Sequence, residues 1–225
     1  MQTKSLLRHA LAAFAAAAVL SAAPLAKADE LGTQGFANGF QTFGLSIGGT
    51  VRAGGFAGTW NSEDITFWCI ELTQYFGFGN EYTDYVATPE PDGAIMTLLG
   101  QLFAQAFESA LDDATHSAAF QLAIWEIVYD RANFNLAGGN LSVVNANGNT
   151  AAVALAQTWL DHIGEYTDTY NLILLRSRTH QDFVTFGEPF GDPNDVPEPA
   201  PAALLAIAFL AMTVLLRRRA RRIHA

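Results

Sequence analysis

Residues 118–130, AAFQLAIWEIVYD, leave a helix no polar face to show to water. Wound as a helix, Phe120, Ile124, Ile127 and Val128 make one apolar stripe. Leu122, Trp125 and Tyr129 make another, and Ala118 and Gln121 share the Trp125 side. A helix that is apolar nearly all round is a buried one. The fold must therefore wrap this segment, and the rest of the chain has to supply the layers. Gln121 sits inside the pattern. An amide buried without a partner costs about 1–3 kcal/mol, so this glutamine is either well satisfied or chemically used.

Two further apolar runs bound what can do the wrapping. Lys4, Arg8 and His9 precede an apolar stretch at 10–20, and Ala26-Lys27-Ala28 supplies a small-x-small site. These are the three parts of a secretory signal peptide, residues 1–28, cut after Ala28 by signal peptidase. At the other end, Val196-Pro197-Glu198-Pro199 leads into an apolar run at 200–216 and a basic tail at 217–225. That run is just long enough to span a bilayer, and its arginine cluster stays cytoplasmic, so the rest of the chain lies outside. Pro197 and Pro199 favour an extended backbone open to a protease.

This tripartite tail resembles the PEP-CTERM sorting signal of Gram-negative bacteria, in which Pro197-Glu198-Pro199, the apolar helix and the terminal arginines match in order and spacing. The resemblance implies recognition by an exosortase and removal of the helix after transient anchoring in the inner membrane. It also implies a final place at the cell surface or in the extracellular matrix, since the family is associated with exopolysaccharide and biofilm. A plain single-pass anchor that is never cut is the alternative.

What remains is one domain at 29–186 and a linker at 187–199 that is rich in Gly, Pro and Asp. Between the processed ends lie four arginines (Arg52, Arg131, Arg176 and Arg178), no lysine, and all 22 acidic residues, a formal charge of −18. Such a charge argues against nucleic acid or bare anionic lipid as a partner. Alternation and β-branched content predict two strands in 36–59, a strong one at 65–76, a short one at 82–87, one at 141–144 and a closing pair at 171–178 and 181–187. Helical spacing predicts helices at 93–111, 115–129 (with Asp112 or Asp113 near its start) and 150–163. Strand groups with helices between and no βαβ rhythm give an α+β fold, with antiparallel sheets or a sandwich packed against two or three helices.

Cys69 is the only cysteine of the chain, and its segment, TFWCIELTQYF, is apolar on both faces. The chain thus carries a buried thiol and a buried carboxamide. Attack of the thiolate on the amide carbon would release ammonia and leave an acyl thioester, given enforced proximity and exclusion of water. Cys69-Ile70-Glu71 and Gln121-Leu122-Ala123-Ile124-Trp125 resemble the two motifs of the thioester domains of bacterial surface adhesins. Phe120 stands where that family has threonine. The resemblance implies a stored electrophile: an amine or hydroxyl on a matrix polysaccharide or protein attacks and becomes bonded to Gln121, freeing Cys69. This is a single covalent capture without turnover. A domain free of lysine offers such a bond no side-chain amine of its own.

Two other readings stand beside it. A non-covalent matrix protein would use Cys69 as a small buried hydrophobe. A secreted cysteine hydrolase would need a histidine base, with His116, His162 and His180 as candidates and His116 nearest in sequence to Gln121. On a strand Glu71 shares the face of Cys69 and is a candidate local base. No zinc spacing or EF-hand loop is present, so Asp112-Asp113 and 191–195 read as helix caps and solvated turns, and no metal or cofactor is implied. Trp68, Trp125 and Trp159 read as core, and Trp60 as a surface aromatic.

Overall fold

The computed structural model describes residues 29–88 and 92–187. The signal peptide with Ala28, the Pro197-Glu198-Pro199 motif, the apolar run at 200–216 and the basic tail lie outside the described residues, as does the linker beyond Gly187. The elements run β1 (Leu31–Phe36), β2 (Gln41–Leu45), β3 (Gly49–Ala53), β4 (Phe56–Trp60), β5 (Glu63–Cys69), β6 (Glu81–Tyr82) and β7 (Val86–Thr88). Then come α1 (Gly93–Ala110), α2 (Ala114–Asp130), β8 (Val143–Asn145), α3 (Thr150–Asp161), a 3-10 turn (Ile163–Glu165), β9 (Leu172–Arg176) and β10 (Phe183–Phe186). The described residues form an α+β fold, with antiparallel sheets and three helices. Among the described residues no helix is long and apolar enough to cross a membrane.

Where two strands are predicted across 36–59, the structure has four between Leu31 and Trp60, because glycine pairs break the run. Gly48 and Gly49 turn β2 into β3 with φ of 80° and 71°, a region that costs glycine little. At Gly54-Gly55 the chain leaves the three-stranded sheet β3-β2-β8 and enters the seven-stranded sheet β6-β1-β4-β5-β10-β9-β7. A Cβ on Gly55 would stand 2.7 Å from the Trp68 indole, so the glycine lets that ring pack close against the backbone. Asn61 and Ser62, both at positive φ, then form the two-residue turn between β4 and β5.

The single strand predicted at 82–87 is also two. β6 pairs with β1 at one edge of the larger sheet, and β7 pairs with β9 at the other. Only Thr83, Asp84 and Tyr85 join them, and three residues reach about 14 Å at most. The larger sheet therefore curls until its edges approach, and this curling replaces the flat-faced sandwich. Asp84 fixes the closure: its carboxylate accepts from Ser177 Oγ (2.5 Å), Thr179 Oγ1 (3.0 Å) and His180 Nδ1 (3.0 Å) on the β9–β10 turn.

Helix α2 starts at the Asp113 cap, whose carboxylate accepts from the backbone N–H of Thr115 and His116. It packs against α1, α3 and strands β2, β3 and β5, and every residue from 117 to 127 is buried. Trp68 is the joint between sheet and helices. Its ring meets Phe103, Phe107 and Phe120 edge-on at 5.7, 5.6 and 5.0 Å between centroids. Trp60 is fully buried in this core, correcting the surface reading, because it closes the β1–β4 pairing opposite Leu31.

Glu126, a polar residue in the same stretch, is also fully buried. One oxygen accepts from the Asn135 N–H at 2.7 Å. Burial, reinforced by Asp130 one turn on, raises its pKa from 4.5 to about 7. Between those values the folded chain holds a proton that the unfolded chain has lost, so stability falls as pH rises through this window. Glu126→Gln should flatten that slope and be about 2 kcal/mol more stable than wild type at pH 8, with the gap closing toward pH 5. Thermal denaturation across that range tests it; parallel curves for the two proteins would contradict it.

Candidate functional site

The strand predicted over 65–76 ends at Cys69, and the reason is Gln121. On one side of β5, strand β10 pairs with it: Phe183 stands opposite Cys69, and the Ile70 N–H reaches the Asp182 carbonyl at 3.0 Å. On the other side β4 begins only at Phe56, opposite Phe67, so among the described residues no strand borders Cys69 there. Helix α2 fills the place. Gln121 Oε1 accepts from the Cys69 N–H at 3.0 Å, and Gln121 Nε2 donates to the Cys69 carbonyl at 2.7 Å. One turn earlier on the same face, Ser117 Oγ accepts from the Gly55 N–H at 2.9 Å. The carboxamide thus stands in for a neighbouring peptide group, and both partners are buried.

The Cys69 side chain is a free thiol. Sγ donates to the Glu71 carbonyl at 2.6 Å and accepts from Gln181 Nε2, also at 2.6 Å. Gln181 Nε2 donates a second bond to the Glu71 carbonyl at 2.9 Å. Burial pushes the thiol far above its ordinary pKa, with the Trp125 side chain and the Glu71 backbone pulling the other way, so it stays protonated at neutral pH. A cleft of about 340 Å³ opens onto Cys69 and Gln181, walled by Arg52, Tyr75, Phe76 and Trp125. Tyr75 at its rim is 80% exposed.

Two expected assistants sit elsewhere. Glu71 does not share the face of Cys69, because the strand ends before it. Its carbonyl meets the sulfur, while the residue lines a separate cavity of about 200 Å³ with Tyr129, Arg176 and Asp182. Burial and then Asp182 raise its carboxyl above the usual range. His116 lies in the first turn of α2, its Nδ1 3.0 Å from the Asp113 carboxylate and its ring near Trp159. His162 bonds the Thr158 carbonyl, and His180 bonds Asp84. Among the described residues no histidine bonds to Cys69.

Asp113 serves as a helix cap, and among the described residues no three His, Cys, Asp or Glu side chains converge on a metal position. Sequence reasoning missed Gln181 because only the β5–β10 register brings it to the sulfur. No known protein family, curated protein or solved structure matches this chain.

Proposed function

We propose that this is an exported surface or matrix protein that stores an internal thioester between Cys69 and Gln121 and spends it once, bonding itself to a nucleophile outside the cell. The observation that carries the reading is the pair of hydrogen bonds holding the Gln121 carboxamide on the main chain of Cys69 itself. Proximity of this kind replaces a bimolecular encounter. The Cys69 N–H lies on Gln121 Oε1, where negative charge develops when sulfur attacks the carbonyl carbon. The C–S bond forms, the C–N bond breaks, and Nε2 leaves as ammonia with the thiol proton. Burial then keeps water from the product.

Export rests on the signal peptide ending at Ala28, and sorting by an exosortase on Pro197-Glu198-Pro199 with the apolar run and arginines that follow. The acceptor enters through the cleft above Cys69 and is an amine or hydroxyl of a polysaccharide or protein. A cysteine hydrolase finds less support, since no described histidine bonds to the thiol to serve as its base. The satisfied state of Gln121 favours one alternative, a non-covalent matrix protein in which the Cys69–Gln121 pair only joins helix to sheet.

Intact mass of the purified protein decides between these readings. The expected result is a mass short of one ammonia, a gain of one methylamine on incubation with that amine, and neither change in Cys69→Ala. A full, unreactive mass in freshly purified wild type would leave only the structural role.

A further inference from the structure

We propose that Gln181, backed by Trp125, is a catalytic hydrogen-bond donor that lets the Cys69 sulfur leave when the thioester is broken. The proposal rests on the thioester reading and adds to it a residue outside both motifs. When an acceptor amine attacks the Gln121 acyl carbon, a C–N bond forms, the C–S bond breaks, and the electron pair passes to Sγ. The proton shed by the new ammonium then returns to sulfur. Negative charge therefore appears on a sulfur that is almost wholly buried at the floor of the cleft, where an unpaired charge is expensive.

Two N–H groups meet that charge. Gln181 Nε2 stands 2.6 Å from Sγ, with its second hydrogen on the Glu71 carbonyl. Among the described residues the Trp125 indole N–H, buried in the wall of the same cleft, has no hydrogen-bond partner and is available to the charged sulfur. The Glu71 carbonyl is in place to take the thiol hydrogen once the proton returns. Gln181 is also held still. The Tyr85 hydroxyl donates to its main-chain carbonyl at 2.7 Å, and Asp84 gathers Ser177, Thr179 and His180 on the same turn. A donor fixed in advance costs no reorganisation at the moment of reaction.

A hydrogen bond to a charged partner is worth about one to two powers of ten in rate. Gln181→Leu should therefore retain the ammonia loss but add methylamine roughly 10–100-fold more slowly. Gln181→Glu keeps the size of the side chain and loses the donor when ionised. Its rate relative to wild type should be low at neutral pH and recover as pH falls and the introduced carboxyl gains a proton. A packing defect would not show that recovery. Equal rates for all three proteins would overturn the proposal while leaving the thioester intact. If wild type itself shows no ammonia loss, the thioester reading fails and the donor role falls with it.

Discussion

Gln121→Leu is expected to lose about 2–4 kcal/mol of stability, a fall in melting temperature of roughly 5–15 °C, together with all thioester chemistry. Leucine fits the volume but offers no hydrogen bond. Without the carboxamide the Cys69 N–H and carbonyl are both left without a partner in a buried site, and each orphaned group costs about 1–3 kcal/mol, a loss read against Cys69→Ala, where the amide stays intact. Cys69→Ala separates the two roles. It removes the sulfur but keeps both backbone bonds to Gln121, so it should abolish methylamine uptake with a loss of about 1 kcal/mol or less. Thermal denaturation and intact mass on the same three proteins test this. A Gln121→Leu protein as stable as wild type would mean that the carboxamide does not fill the gap beside β5.

Phe120→Thr is expected to cost about 3–5 kcal/mol, although it restores the residue type of the adhesin motif. Phe120 is fully buried and stacks edge-on against Trp68 and Phe103, each at 5.0 Å, and against Trp159 at 6.3 Å. Threonine would empty most of that volume and bring a hydroxyl into a nest of rings. The denaturant midpoint should fall accordingly, with no gain in methylamine uptake, because the Cys69 N–H already lies on Gln121 Oε1. A variant with an unchanged midpoint would show that Phe120 does not hold helix to sheet. The phenylalanine at this position belongs to the packing of Trp68.

The helices were legible because the 3.6-residue spacing and the Asp113 cap are local signals. The closing strands β9 and β10 were legible for a similar reason, being short apolar runs bounded by polar turns. Strand number was lost at Gly48-Gly49 and Gly54-Gly55, where backbone freedom cuts an apolar run that periodicity reads as continuous. Trp60 misled because its neighbours Asn61 and Ser62 are turn residues, while the ring itself faces inward. The end of β5 at Cys69 has no local cause at all. It follows from α2 docking beside the strand, a contact between residues 52 positions apart. Gln181 is the furthest case, 112 positions from Cys69 and brought there only by sheet register.

The placing of β10 has a mechanical consequence. In the proposed capture, tension between a molecule bonded at Gln121 and the C-terminal end of the chain would enter through α2, whose Gln121 oxygen accepts from the Cys69 N–H opposite Phe183, and leave past Phe186. Phe183 and Phe186 are the opposite ends of one strand, bonded to β5 on one side and β9 on the other. A pull along that strand loads the ladder bonds on both sides in shear. The bond at Gln121 and the exit of the chain would then act as the two grips of a short tensile link.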